Sequence, residues 1–302
     1  MPRSIRFTGL PLVLLVAAIS IFAEDTQPLL KYADELLSEV HRSVDGPEKA
    51  FEFRMDFGQP TEIEYRFHQK QSMNNSFSSG AMESESVAVL VLKSEGDRTA
   101  RVIIRDQELS MTINGEEEEP SSISRKAPTV VVPGLNENGR FTSPSGGTDP
   151  MIRMLFPLPE EPLGPGGSFQ SPIELPFNAM GSLLWARGDS TIRFTGYVNL
   201  RGHLGARLDV TTKVQDLEIP DEIDGNYSFE VAALGTYYFD LESRTFESGA
   251  MAIRMKMNVQ VPATSMPQFT DDDSPEDLEM SMDLDGLIRY SRALDWTGTA
   301  EP

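Results

Sequence analysis

The stretch "YSFEVAALGTYYFDL", residues 227–241, alternates without interruption. Tyr227, Phe229, Val231, Ala233, Gly235, Tyr237, Phe239 and Leu241 make one apolar side, and Ser228, Glu230, Thr236 and Asp240 fall on the other. A period of two places successive side chains on opposite faces of a β-strand. At about 3.3 Å per residue, this run reaches about 50 Å. The usual strand has about five or six residues. Its apolar face therefore demands an equally long cover, or the strand bends at Gly235 and serves two sheets in turn. The run "AMAIRMKMNVQV" (250–261) returns with the same pattern. Met251, Ile253, Met255, Met257, Val259 and Val261 lie on one side, with Arg254, Lys256, Asn258 and Gln260 on the other.

The rest of the chain is organised around similar runs. "AFEFRMDF" and "EIEYRFHQ", joined by "GQPT", read as a hairpin. "QSMNNSFSSGAMESES" (71–86) reads as a polar loop or a fraying strand end. "VAVLVL" and "TARVIIRD" form the next hairpin, and "TVVVPGLNENGRFTS" turns at Asn138-Gly139. The first antiparallel half thus covers 50–143. Residues 144–167 are too rich in Pro and Gly for regular structure and read as a linker, with "PMIRMLF" as a short helix inside it. A second antiparallel half follows at 168–290, and 291–302 is a tail. The predicted fold is all-β with one amphipathic helix over 28–43, where Leu29, Leu30, Ala33, Leu36, Leu37 and Val40 recur at helical spacing. Two linked antiparallel halves build either a sandwich or a curved half-barrel.

The N-terminus reads as an export signal over residues 1–23. Arg3 and Arg6 precede the apolar run "FTGLPLVLLVAAISIFA", and "EDTQP" is an abrupt polar change. Cleavage fits after Ala23, with Ser20 as the alternative. The run is short for a membrane span and contains Pro11, so no stable span is expected after cleavage. The expected location is periplasmic or extracellular, or membrane-anchored if the signal is retained. A formal net charge of −21 repels nucleic acid and anionic lipid headgroups. The absence of cysteine excludes disulfides, thiolate metal sites and a cysteine nucleophile.

No chemistry-bearing motif reaches full strength. His41, His68 and His203 are mutually isolated and read as surface or turn residues. "GGSFQ" (166–170) lacks the closing glycine of a nucleophile elbow, and "SGGTDP" lacks the lysine of a phosphate loop. "SMDLDG" offers Asp283 and Asp285 before Gly286, but Arg292 stands where a calcium loop needs Glu. "DDDSPED" reads as a mobile acidic loop. Methionine is abundant, at 14 residues. Thioethers bind Cu(I). However, Met251, Met255, Met257, Met280 and Met282 continue an aliphatic stripe, and core filling is the preferred reading. No catalytic residue, metal site or cofactor is expected.

At "MIRMLFPLPEEPLGPGGSFQSP" the sequence resembles an uncharacterised family of exported bacterial β-rich proteins. Leu158, Pro159, Pro162, Gly164 and Gly166 match its Pro/Gly-rich junction, and Phe169 stands where the family has Trp. Phe53, Gly58 and Tyr65 match an early motif, and "YYFD" a late one. The resemblance implies architecture and an envelope location, and supplies no site residue. Many members are lipoproteins, and the lack of Cys here departs from that. The order of signal, helix and long sheet is also similar to that of periplasmic lipoprotein carriers, whose curved half-barrels have an apolar concave face.

Function is therefore expected to be binding or scaffolding by an exported, non-enzymatic protein, with an envelope protein or an apolar ligand as partner. One alternative is a carrier or sensor of a lipid-like molecule in a groove lined by Phe229, Tyr237, Phe239, Met255 and Met257, with the helix as a partial lid. Another is a hydrolase whose site is formed only in three dimensions. N-terminal sequencing of exported material is expected to begin at Glu24 or Ile21. Intact Met1 in the membrane fraction would instead establish a retained anchor.

Overall fold

Long alternating runs need partners of matching length, and those at 227–241 and 250–261 find them on both sides. The computed structural model describes residues 30–33, 36, 41–76, 80–115, 121–142, 151–179, 182–218, 226–261 and 278–293. The strands are β1 (Pro60–Asn75), β2 (Gly80–Glu95), β3 (Thr99–Gly115), β4 (Ser121–Lys126), β5 (Val130–Asn136), β6 (Ser168–Ala179), β7 (Ser182–Leu200), β8 (His203–Glu218), β9 (Asn226–Asp240), β10 (Thr245–Val261) and β11 (Leu278–Arg292). They form one antiparallel sheet in the order β4-β3-β2-β1-β11-β10-β9-β8-β7-β6, with β5 paired to β3 beside β4. The sheet is not closed, so the all-β antiparallel architecture expected from the alternation is present as an open, continuous surface. Its centre is the pairing of β1 with β11, from Tyr65 opposite Arg292 to Asn75 opposite Met282. That pairing makes strands from the two ends of the described chain neighbours.

Two sequence expectations change. Residues 51–57 do not form a hairpin with β1, whose partners are β2 and β11. They cross the inner face of the sheet in extended form, and Phe53, Met55 and Phe57 are buried there. Alternation reports one buried side. It does not say whether the backbone joins the sheet or lies across it. The polar stretch 71–86 is not mainly loop either, because β1 runs on to Asn75 and β2 starts at Gly80, with Met73 opposite Met82. Ladder hydrogen bonding holds polar residues in strands where the apolar pattern is weak.

Among the described residues, the inner face is filled by two segments that belong to no strand of the sheet. One is 51–57, whose Phe53 ring meets Phe194 at 5.2 Å and Phe239 at 5.8 Å. The other is 151–163, part of the Pro/Gly-rich stretch. Met151, Ile152, Met154, Leu155, Phe156 and Leu158 are all buried there, and Ile152–Met154 forms a single 3-10 turn. The two segments are stitched by reciprocal backbone hydrogen bonds between Phe51 and Leu163, each 3.0 Å. Phe156 packs on Tyr290 at 5.3 Å and Phe246 at 5.6 Å. The Asn138-Gly139 turn closes over it. A Cβ on Gly139, where φ is +75°, would come within 1.7 Å of the Phe156 carbonyl oxygen, so only glycine fits.

A non-strand segment indoors brings carbonyl groups that need donors. Buried tyrosines provide them. The Tyr237 hydroxyl donates to the Met154 carbonyl at 3.0 Å, and Tyr290 donates to the Leu155 carbonyl at 2.8 Å. Tyr65 donates instead to a strand carbonyl, that of Phe246 at the irregular start of β10, at 3.0 Å.

The outer face is covered over part of β9 to β11. Leu30 and Leu36 are buried there against Leu234, Ala252 and Leu287. The helix expected over 28–43 lies largely outside the described residues. Within it, residues 41–43 are extended, with Ser43 bridged to Val198. Beyond them the chain passes to the inner face, pinned by the Tyr197 hydroxyl donating to the Pro47 carbonyl at 2.8 Å. The C-terminal half of β9 is consequently buried on both sides: Tyr237 and Phe239 inward, Leu234, Thr236 and Tyr238 outward. Among the described residues, no helix is long and apolar enough to cross a membrane.

Burial pushes the phenol pKa of Tyr65, Tyr237 and Tyr290 upward from the ordinary 10.0. Above that ordinary value the unfolded phenols ionise while the folded ones keep their protons. Stability is therefore fully present below about pH 10 and falls as pH rises, by about 1.4 kcal/mol per pH unit for each tyrosine. Tyr237→Phe and Tyr290→Phe are each expected to flatten the alkaline limb of a urea-denaturation series by one proton. At neutral pH each should cost about 1–3 kcal/mol, because a buried carbonyl loses its donor. An unchanged alkaline slope in both variants would contradict this arrangement.

Candidate functional site

Among the described residues, the filling of the inner face is incomplete. Between the 151–163 segment and strands β6 to β10 lies an open cavity of about 590 Å³. Its origin is a row of small side chains on adjacent strands. Ser171 of β6 pairs with Ser190 of β7, Ser190 with Thr212 of β8, and Thr212 with Ala233 of β9. Gly235 follows two residues on, opposite Val210 and Met251. A Cβ on Gly235 would lie 2.4 Å from the Tyr237 ring, so the glycine is required by that neighbour. Where such residues replace Leu or Phe, the sheet recedes from the segment facing it.

The floor is apolar, built from Ile192, Val210, Ala233 and Met251, and Tyr237 stands at one side. Met154, Pro157 and Leu158 form the facing wall. Two buried hydroxyls break the apolar floor: Ser190 and Thr212 are 7% and 4% exposed and bonded to each other at 3.0 Å. Arg140, Arg153 and Glu174 also line the cavity. Arg140 donates to the Ser171 hydroxyl and pairs with Glu160 at 2.6 Å. The Arg153 guanidinium lies 5.8 Å from the centre of the Phe141 ring, and desolvation lowers its pKa from the ordinary arginine value. Glu174 accepts from Arg187 at 3.0 Å. The cavity thus combines an apolar bed, a hydroxyl pair and two guanidinium groups in a chain whose net charge is −21. Such a lining can hold an apolar body and orient a polar end. The Ser190 hydroxyl ends on another hydroxyl and not on a base.

Of the residues expected to line a groove, Tyr237 lines this cavity. Phe239 lies among the aromatic rings of the core, 5.3 Å from Phe246. Phe229 and Met257 are directly opposite one another on β9 and β10, farther along the same face, and Met255 sits opposite Val231. Phe229 and Met255 are buried and Met257 is partly exposed. The described part of the N-terminal segment covers the outer face, the opposite side from these residues. The expected reading did not include Ser190, Thr212, Ala233, Arg140 or Arg153. The only sequence signal for the first three was a loss of bulk at inward strand positions. Arg140 and Arg153 carried none, since they come from a turn and from the Pro/Gly-rich stretch.

The histidines remain apart. His41 lies edge-on to Tyr238 with centroids 4.4 Å apart, His68 meets Glu85 at 2.6 Å, and His203 meets Glu242 at 2.7 Å. Asp285, weighed as part of a calcium loop, accepts from Arg254 at 2.8 Å. Among the described residues no group of three His, Cys, Asp or Glu side chains is placed to hold a metal ion. No protein-family profile and no curated protein matches the chain.

Thr212→Val removes one hydroxyl and leaves Ser190 buried without its partner, at an expected cost of about 1–3 kcal/mol. Adding Ser190→Ala should recover part of that loss, since both ends of the bond are then apolar. Denaturation of the two single variants and the double variant measures the coupling. Strict additivity would show that the pair is not bonded as described.

Proposed function

We propose that the protein is an exported, non-enzymatic binding protein of the cell envelope that holds a small lipid-like molecule in the inner-face cavity. The body of the ligand lies on Ile192, Val210, Ala233 and Met251, and its acidic head is turned towards Arg140 and Arg153. The observation that carries this reading is the cavity itself. Its volume of about 590 Å³ falls within the ordinary range for small-molecule sites, about 300–1,000 Å³. Burial of apolar surface supplies the driving term. The guanidinium pair selects an anionic head by charge-assisted hydrogen bonding. Export rests on the N-terminal sequence. The resemblance to exported β-rich proteins and to periplasmic lipoprotein carriers is in keeping with the same proposal.

Trp185 lines the cavity and reports on it. Titration with a medium-chain fatty acid is expected to change tryptophan fluorescence saturably, and the corresponding fatty alcohol should bind more weakly. Ala233→Phe fills the cavity and is expected to abolish the change, while circular dichroism confirms retained strand content. Equal binding of acid and alcohol would remove the acidic head from the proposal. No saturable binding by the wild-type protein, or unchanged binding by Ala233→Phe, would overturn it. Turnover of ester, peptide or glycoside substrates that is lost on mutating one Ser, Asp or Glu would replace it with a hydrolase.

A further inference from the structure

Methionine occupies two different environments. Met55, Met151, Met154, Met251 and Met255 are buried and fill irregular space in the core. Met73, Met82, Met111, Met257, Met280 and Met282 are partly exposed, and all occupy the inward phase of their strands. They cluster towards the end of the sheet where β1 finishes and β2 begins. Met82 is directly opposite Met73, and Met282 is directly opposite Met257. Met73 faces Leu284, and Met282 faces Asn75, so Met73 and Met282 are diagonal neighbours. Because β2, β1, β11 and β10 are consecutive in the sheet, Met82, Met73, Met282 and Met257 form an unbroken row across it. Met280 extends the row along β11, and Met111 flanks it on β3, opposite Ser84.

Core filling accounts for only part of this row: Met257 and Met282 pack against the core, yet all four side chains remain partly exposed. An apolar strand surface is made at lower entropic cost from Val, Ile or Leu. What methionine adds is a thioether, a soft donor that selects Cu(I) over harder ions. Directly opposed residues have Cβ atoms about 4.5–5.5 Å apart and diagonal ones about 7–8 Å. Three rotatable bonds per side chain let the sulfurs of two or three neighbouring members of the row converge on one ion. Competing soft ligands are lacking: the chain has no cysteine, and its three histidines are engaged elsewhere on the molecule. The net charge of −21 raises the local concentration of any cation.

We propose that the row Met82, Met73, Met282 and Met257 is a Cu(I)-binding site built from thioethers alone. The site is separate from the cavity and does not depend on a ligand there. The probe is Ag(I), a soft monovalent ion that does not change oxidation state during the measurement, followed by Cu(I) under ascorbate against a chromophoric chelator. Native mass spectrometry of the untagged protein is expected to show bound Ag(I). With methionine labelled at the ¹³C-methyl, the signals of the partly exposed residues should shift while those of the buried ones stay in place. The pairs Met73→Leu with Met82→Leu, and Met257→Leu with Met282→Leu, keep volume and apolar character, so the fold should persist. Each pair is expected to lose Ag(I) and Cu(I) binding. No Ag(I) on the wild-type protein, shifts confined to the buried methionines, or wild-type binding by both leucine pairs would each overturn the assignment. The methyl shifts are read on the unmutated protein, so the test stands even if a leucine pair misfolds.

Discussion

Two phenol hydroxyls, donated to buried backbone carbonyls of the segment that crosses the sheet, make this architecture possible. A sheet satisfies its own backbone through its ladders, but a segment laid across its face cannot. An unpaired carbonyl indoors costs about as much as several tenths to all of what a large apolar side chain gains on burial. Tyr237 and Tyr290 remove that cost at Met154 and Leu155, the two residues immediately before Phe156. Phe156 can then take its place against Tyr290 and Phe246. The same tyrosines extend the apolar phase of β9 and β11, so one side chain both packs the sheet and solves the polar problem of its cover. Burial raises their phenol pKa values, so these donors keep their protons into the alkaline range where an exposed phenol would ionise.

Length is the second constraint, and the open sheet is its outcome. Strands as long as β9 and β10 offer more inner surface than the two crossing segments among the described residues can cover. The cover is best where the aromatic residues are concentrated. Among the described residues it thins over the row from Ser171 to Ala233, where the cavity lies, and leaves the methionine row partly exposed. Proposed ligand binding and proposed metal binding thus use two different parts of one face, one shaped by missing bulk and the other by a particular donor atom. The outer face has its own partial cover in Leu30 and Leu36, which leaves the middle of β9 to β11 shielded from both sides.

Much of this was legible from particular residues. Alternation in 227–241 and 250–261 gave the inward phase of β9 and β10, with Phe239 and Met255 buried, but the side of β9 read as polar is buried as well at Thr236 and Asp240. The Asn138-Gly139 turn was legible for the same reason, as only local backbone geometry was involved. Phe53, Met55 and Phe57 were recognised as one buried side, yet their segment lies across the sheet and not within it. The cavity was hardest to foresee. Ser190, Thr212 and Ala233 look like weak points in three separate strands until register aligns them.

By itself the sequence determined the class of structure: antiparallel strands, two-faced and unusually long, in an acidic chain without cysteine. These are consequences of period, composition and turn chemistry, all of which act over a few residues. Only the tertiary structure decided that β1 pairs with β11, that 151–163 enters the interior, and where the inner face stays open. Those choices rest on partners far apart in the chain, such as Tyr237 with Met154 or Met73 with Leu284. An alternating pattern states that a face must be covered. It carries no information about which distant segment will have the shape and the hydrogen-bonding groups to cover it.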